Sequence, residues 1–451
     1  MVAVIEPDTI AAISTPPGRG AIGVVRLSGS AVANIARDVI GSLPAPRYAA
    51  VRRFRDANGE TIDQGLALYF PAPGSFTGED VLELQAHGGP VLLDMLLARV
   101  LELGARMARP GEFTQRAFLN DRMDLVQAEA VADVIEGETA AAVRSAQRSL
   151  AGAFSRRIDA IVESLVSLRA YVEAAIDFPE EEIDFLADGE VARRLDAMVR
   201  AVAEARRGAE QGRRLKDGLT VVIAGRPNVG KSSLLNRLAG TDAAIVTEVP
   251  GTTRDVLHEH IQIDGVPLHV FDTAGLRLTR DPVESEGVAR AHDVMARADI
   301  LLLMTEDGTP DDVGALLSDA ARPLPRISIR NKIDLTGGPP AAERTAEGAC
   351  IRLSVLTGAG MPLLEEELKR FAGQDGSGAE NLFIARRRHI EALDRAAEAL
   401  ARAEQALAHD RAGDLVAEDL RASQTALSEI TGAVTSEDVL DRIFASFCIG
   451  K

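Results

Sequence analysis

Three textures of apolar and polar positions divide the 451-residue chain. From Met1 to about Asn120, short apolar runs such as "IGVVRL", "LALYF" and "VLELQ" alternate with turn signals, among them "TPPGRG", "FPAPGSFTGED", "HGGP" and "RPGEF". Runs of that length between Gly- and Pro-rich turns predict mixed strands and helices. From Asp124 to about Lys216, Gly and Pro become sparse and Ala abundant. There Ile158, Ile161, Val162, Leu165, Leu168 and Val172 recur at helical spacing and form one stripe. Pro179 in "DFPEEEIDF" interrupts it. Helical texture returns from about Asn381 to Phe447, with Ile390, Leu393, Ala397 and Leu400 on one face. Thr435 in "TSEDVL" is predicted to cap a last helix. A bundle is the simplest way to bury such faces.

The remaining texture spans residues 218–373. The runs "LTVVIA", "LHVF", "DILLLM", "RISIR" and "CIRLS" are continuously apolar, as buried parallel strands are, and helical stretches separate several of them. The expected fold is therefore multidomain, α+β and α/β. Residues 1–120 form an N-terminal α+β domain, 121–217 the first part of a helical domain, 218–373 an inserted α/β domain, and 374–451 the second helical part. No internal repeat or extended low-complexity tract is present.

Composition narrows the picture. With 46% hydrophobic and 26% charged residues the chain is an ordinary globular protein, long enough for about three domains of roughly 150 residues. A net charge of −18 excludes a broad nonspecific grip on nucleic-acid phosphates, leaving a local basic site open. The densest basic stretch, "ARRRH" from Ala385 to His389, reads more simply as a solvated helix face. Two cysteines, Cys350 and Cys448, make no disulfide framework, so a reducing cytoplasm is expected. The terminal "CIGK" ends in Lys, which is not a usual last residue of a prenylation box. "MVAVIEPDTI" has no basic n-region, so no secretory leader is expected. No apolar run reaches the roughly 18 residues a membrane helix needs, so no membrane association is expected.

The chemistry concentrates in the α/β texture. "GRPNVGKS", Gly225 to Ser232, satisfies G-x-x-x-x-G-K-[ST] between an apolar strand and a helical stretch. Backbone N–H groups of such a loop wrap phosphate oxygens at a helix N-terminus. Asn228, Val229, Gly230, Lys231, Ser232 and Ser233 are the expected phosphate contacts, with Lys231 on the β and γ phosphates and Ser232 on Mg²⁺. Asp272 opens "DTAG" after a strand; it would hold Mg²⁺ through water, beside Thr273 and Ala274, while Gly275 offers its N–H to the γ-phosphate. "NKID" supplies Asn331, Lys332 and Asp334. A carboxylate there accepts the paired N1 and N2 donors of guanine, which adenine lacks, so GTP is the expected substrate. "LSVLTGAG" completes the base pocket near Ser354. Between these lies "TEVPGTTRD", a candidate switch in which Thr247, Glu248, Val249, Pro250 and Gly251 precede Thr252 and Thr253, with Thr253 on Mg²⁺. One position breaks the pattern: after "DTAG", Ras-like enzymes carry a glutamine that orients water, and this chain has Leu276.

Other motifs fail on context. "GRGAIG" follows Pro16 and Pro17 and leads into strand-like "VVRLSG", unlike a dinucleotide-binding turn. Its GXXG carries Ala21 and Ile22, unlike a loop clamping RNA backbone. "HEH" at His258 lacks zincin spacing and alternates as a strand would, so no zinc site is expected.

End to end the chain resembles the MnmE (TrmE) family of tRNA modification GTPases. The resemblance rests on "TPPGRGAIGVVRLSG", "FTGEDVLELQAHGGP", "RPGEFTQRAFLND", "YVEAAIDFPEEEIDF", "VVIAGRPNVGKSSLLN", "GTTRDVLHEHI", "DTAGLR" and the terminal "FCIGK". It implies an N-terminal tetrahydrofolate-binding and dimerisation domain, a helical domain, and a Ras-like P-loop GTPase domain inserted in it. It implies a homodimer that works with the FAD-containing MnmG (GidA) on tRNA. Together they install aminomethyl or carboxymethylaminomethyl groups at C5 of the wobble uridine, with 5-formyl- or methylene-tetrahydrofolate supplying the one-carbon unit. It also implies K⁺ where other GTPases insert an arginine finger, held by Asn228, the carbonyls of Thr247 and Val249, and Thr252, with Glu284 orienting the attacking water. Arg26, Glu83, Arg122 and Lys451 match folate-contacting positions, although relatives carry Lys where Arg122 stands. Cys448 falls near that site by the same resemblance. A regulatory GTPase of ribosome assembly is the competing reading; such proteins usually carry a basic RNA-binding module, of which this acidic chain shows no convincing example. A structural helical protein with a degenerate GTPase is disfavoured by the presence of Lys231, Ser232, Asp272 and Asp334.

Overall fold

The computed structural model describes residues 8–137, 139–177, 189–241, 258–263, 266–272, 298–308, 324–345, 348–372, 383–409, 413–435 and 437–450. The chain divides into two compact units, one of Met1–Ala132, Ser149–Val199 and Arg395–Lys451, the other of Asp133–Arg148 and Arg200–Asp394.

The first unit is built on a six-stranded sheet among the described residues. Strands β1 (Ile10–Ile13), β2 (Gly20–Ser28), β3 (Ala50–Arg55), β4 (Thr61–Phe70), β5 (Val81–Gly88) and β6 (Arg106–Met107) run in the order β3-β4-β5-β2-β1-β6. All neighbours are antiparallel except β1 and β6. Because β2 begins at Gly20, the glycine-rich stretch enters a strand rather than a helix. Helices Val32–Ile40 and Pro90–Glu102 cover one face, burying Ile35, Val39, Leu96 and Val100 against Leu27, Leu82 and Leu84. Pro90 opens its helix where a missing N–H costs nothing.

Helix Ala153–Asp177 carries the apolar stripe. Ile158, Ile161, Leu165, Leu168 and Val172 are buried, Val162 is half-buried, and the helix packs along Gly413–Thr431. The last helix, Glu437–Phe444, returns to helix Glu112–Leu119. A Cβ at Gly111 would sit 2.7 Å from the Phe444 carbonyl oxygen, so a glycine at φ +66° admits the C-terminal segment. Phe444 and Phe447 then pack with Leu125 and Ala128.

An ion network lies under the same helix. Buried Arg116 donates to Asp8 Oδ1 (2.5 Å), Glu79 Oε2 (3.0 Å) and Glu112 Oε1 (3.3 Å). Arg106 donates to both Glu112 oxygens at 2.5 and 2.8 Å. Burial alone would raise the Glu112 carboxyl, but hydrogen bonds from Arg106 and the Arg109 N–H hold it at about 2, below its ordinary 4.5. A depressed folded-state value means the stabilisation is complete above pH 4.5 and is lost as pH falls towards 2. In full it is worth about 3 kcal/mol. Thermal unfolding followed against pH should show this loss, and Glu112→Gln should flatten that part of the acid limb. An unchanged limb would remove Glu112 as its source.

Among the described residues, the second unit carries a seven-stranded sheet. Strands β7 (Leu219–Gly225), β8 (His258–Ile263), β9 (Val266–Asp272), β10 (Ile300–Glu306), β11 (Arg326–Asn331), β12 (Ala341–Thr345) and β13 (Gly348–Arg352) run in the order β12-β13-β11-β10-β7-β9-β8. The five runs read as parallel strands pair in parallel with one another. The antiparallel edges are β8 and β12; the first contains "HEH", and the second, largely exposed, carries no apolar run to announce it. Helices Lys231–Thr241 and Met361–Phe371 bury Leu234, Leu235, Leu238, Leu364 and Leu368 against the sheet. In the last turn of helix Glu190–Asp217, Arg214 donates to the Phe371 carbonyl at 2.7 Å and covers its ring.

Candidate functional site

The strand order reverses at β7. Its two neighbours, β9 and β10, lie on opposite sides, and parallel sheets leave a crevice beyond the strand ends at such a point. The loop from β7 to helix Lys231–Thr241 occupies it. Asn228 turns the loop at φ +64°, and Gly230 follows at φ +102°. A Cβ on Gly230 would lie 2.5 Å from Asn331 Nδ2, so only glycine lets the loop approach β11 this closely. Val229 and Lys231 are buried, and Ser232 and Ser233 lie exposed in the first helical turn. The Lys231 ammonium donates to the carbonyls of Gly225 (3.0 Å) and Arg226 (3.1 Å), which holds a cation at the loop mouth. Asp272 ends β9 opposite Ile223 of β7, and so stands next to the loop's origin.

Asn331 joins the phosphate loop to the base loops. It is 4% exposed; its Nδ2 donates to Val229 O (2.8 Å) and its Oδ1 accepts the Val355 N–H (2.9 Å). Lys332 follows at φ +69° and pairs with Glu306. Asp334 is exposed in the first turn of helix Ile333–Thr336. Asn228, Gly230, Ser233, Asn331, Lys332 and Asp334 all line one cleft of about 690 Å³, with Val355 and Leu356 as a further wall. Ser354 is fully buried and accepts the Thr357 N–H at 3.2 Å, so its hydroxyl shapes its own turn while the next two residues reach the cleft.

The expected residues Thr247, Glu248, Val249, Pro250, Gly251, Thr252, Thr253, Thr273, Ala274, Gly275, Glu284 and Lys451 lie outside the described residues.

Two supports were missed by sequence reasoning. Arg237 donates to the carbonyls of Val355 (2.6 Å) and Leu356 (3.0 Å). Asp307 accepts from Arg352 Nε (3.0 Å) and Nη2 (2.8 Å) and from the Thr336 hydroxyl (2.6 Å). Those bonds hold the Asp307 carboxyl below its ordinary range, Arg352 contributing most. No motif marks either residue, because each acts through a contact distant in sequence.

In the first unit, Arg26 and Glu83 face each other across β2 and β5. Arg26 donates to Glu83 Oε1 from Nε (3.0 Å) and Nη2 (2.8 Å), and its guanidinium stands 5.9 Å from the ring centres of both Phe76 and Phe113. Arg122 borders the same 71–80 loop from another side, its Cγ 3.3 Å from where a Cβ on Gly78 would lie. The C-terminal segment reaches the neighbouring end of β1, where Ser14 Oγ donates to Gly450 O at 3.1 Å. Cys448 is exposed just before it.

The donor sets suit the expected groups chemically. The hydroxyl of Ser232 and a carboxylate at Asp272 are hard oxygen donors of the kind Mg²⁺ takes. The amide of Asn228, two carbonyls and a hydroxyl would be an all-neutral oxygen set, fitting a monovalent cation. Arg26, Glu83 and the Phe76 ring offer a donor, an acceptor and an aromatic face side by side, which a pterin can use. Among the described residues, no helix is long and apolar enough to cross a membrane.

The family profile "MnmE helical domain" matches residues 125–448, and "GTP-binding protein TrmE N-terminus" matches residues 9–122. The chain is 54% identical to the tRNA modification GTPase MnmE of Coxiella burnetii (strain Dugway 5J108-111) over 452 residues, covering 99% of both chains. It is 56% identical to the protein of the same name from Pseudomonas syringae pv. tomato over 455 residues, covering 99% of this chain and 100% of that one. Among solved structures, the G domain of the T. maritima FeoB iron transporter is 25% identical, covering 34% of this chain and 98% of its own, with a TM-score of 0.26.

Proposed function

The chain belongs to the MnmE family of tRNA modification GTPases, and from that premise we propose that it hydrolyses GTP at the β7 cleft and couples hydrolysis to modification of tRNA. The observation that carries this reading is Asn331, which ties the phosphate loop to the base loops around one cleft. In that reading the N–H groups of the loop from Asn228 to Ser233 receive the phosphates, and Lys231 turns its ammonium from loop carbonyls to phosphate oxygens. Asp334 accepts the guanine N1 and N2 donors, and Leu356 and the Lys332 stem face the ring. Ser232, Thr253 and Asp272 would hold Mg²⁺, which would neutralise developing phosphate charge.

The finer steps rest on family resemblance. Leu276 has no polar atom to orient water, and the family resemblance gives that role to Glu284. Asn228, Thr247, Val249 and Thr252 hold a K⁺ ion, which supplies positive charge near the transferred phosphoryl group. Arg26, Glu83, Arg122 and Lys451 bind the tetrahydrofolate that donates the one-carbon unit. The protein is a cytoplasmic homodimer joined through residues 1–120, with a helical domain of 121–217 and 374–451 and a GTPase domain of 218–373. It acts with MnmG, whose FAD serves the same reaction, at C5 of the wobble uridine.

Nucleoside analysis of bulk tRNA tests the reading. A strain lacking this chain should lose the aminomethyl-type C5 modifications of uridine, and the intact gene should restore them, whereas Lys231→Ala should not. An unchanged nucleoside profile in the deletion strain would refute the function.

A further inference from the structure

We propose that Arg237 is a positioning residue for base recognition, holding the Val355–Leu356 wall of the cleft from the helix that carries Lys231. The inference rests on the cleft being a guanine-nucleotide site.

Three observations meet at this wall. Arg237 donates from one nitrogen, Nη1, to both adjacent carbonyls, Val355 O at 2.6 Å and Leu356 O at 3.0 Å. The turn that follows is cut to fit the guanidinium, since a Cβ at Gly358 (φ +85°) would stand 2.4 Å from Arg237 Nη2. Val355 is also held through its own N–H, which donates to Asn331 Oδ1 at 2.9 Å. Between these two anchors stands Leu356, 81% exposed and lining the cleft. A large apolar side chain this exposed gains from a planar ring laid against it. The wall is clamped by Asn331 from the strand that leads to Asp334 and by Arg237 from the phosphate-loop helix.

This placement separates two kinds of affinity. Lys231 and the loop N–H groups meet phosphate, whereas Arg237, which itself borders the cleft, spends its hydrogen bonds on the wall that meets the base. Loss of the guanidinium frees two carbonyls and lets Leu356 move. The base then loses its wall and the phosphates keep their cradle. Lysine at this position keeps the charge but lacks the planar group whose second nitrogen packs on Gly358.

The test measures displacement of a fluorescent GDP analogue from the full-length protein by GDP and by inorganic pyrophosphate, which occupies only the phosphate loop. Arg237→Ala should weaken GDP about tenfold, because the wall is loosened and not removed, and leave pyrophosphate unchanged. Arg237→Lys should fall between. Gly358→Ala, which crowds the guanidinium from the opposite side, should reproduce the selective loss if Arg237→Ala fails to fold. Equal weakening of GDP and pyrophosphate would overturn the proposal, because it would mark damage to the helix itself. Unchanged GDP affinity in Arg237→Ala would overturn it as well. The underlying reading has its own control: wild-type protein that binds ADP as well as GDP would fail as a guanine site, whereas a guanine-selective wild type with an unaffected Arg237→Ala removes only this inference.

Discussion

Asp334→Asn is expected to switch the protein from guanine to xanthine nucleotides, with GDP affinity falling at least about a hundredfold. Asp334 stands exposed at the cleft in the first turn of helix Ile333–Thr336. Its carboxylate only accepts, which matches the paired N–H donors on guanine N1 and N2. An asparagine amide presents one acceptor and one donor. Its oxygen still meets N1–H, but its NH₂ faces the guanine N2 amine, and two donors are left without acceptors. Leaving such groups unpaired against the bound base costs more than the lost bonds themselves. Xanthine carries an oxygen at C2, so the same amide meets it with matched polarity. Displacement titrations with GDP and XDP on wild type and variant read the switch directly. Undiminished GDP affinity in the variant would show that another group reads the base.

Exchanging Na⁺ for K⁺ at constant ionic strength is expected to raise GTP turnover tenfold or more, a barrier change of about 1.4 kcal/mol. The reason begins with Leu276, which cannot orient water or carry charge. The transition state needs positive charge near the transferred group, and Lys231 and Mg²⁺ serve both ground and transition states. Asn228 sits at the turn of the phosphate loop, φ +64°, on the wall of the cleft. In the proposed reading its amide oxygen would join two carbonyls and a hydroxyl in a neutral set, in which cavity size and ligand number decide between monovalent ions. Asn228→Ala should therefore abolish the difference between the two salts and leave GDP affinity within about twofold. Equal rates in K⁺ and Na⁺ for the wild type would exclude the cation from the mechanism.

Much of the second unit was legible in the chain because its signals are local. Continuous apolar runs predicted the parallel strands β7, β9, β10, β11 and β13, and each forms where its run lies. The stripe from Ile158 to Val172 predicted a helix with one buried face, and helix Ala153–Asp177 buries it. The phosphate loop was legible because its glycines and lysine sit within one short segment. Strand β12 was not, since an exposed edge strand needs no apolar alternation. The charge network of Asp8, Glu79, Arg106, Glu112 and Arg116 was equally silent, because its partners are up to 108 residues apart. Cys448 and its neighbours gave no internal sign that they pack beside Gly111, a contact made by the last residues of the chain.

The chain alone determined which residue types could touch a phosphate, a guanine and a divalent ion, and in which order they follow the strands. Those properties depend on side-chain chemistry and short-range backbone geometry, both written within a few residues. Only the tertiary structure decided that Asn331 bridges two loops, that Ser354 turns inward while Leu356 stands in the cleft, and that Arg237 braces that wall. Each depends on where segments separated by a hundred residues or so come to rest when the sheet and its helices bury their apolar faces together, and no local pattern carries that information.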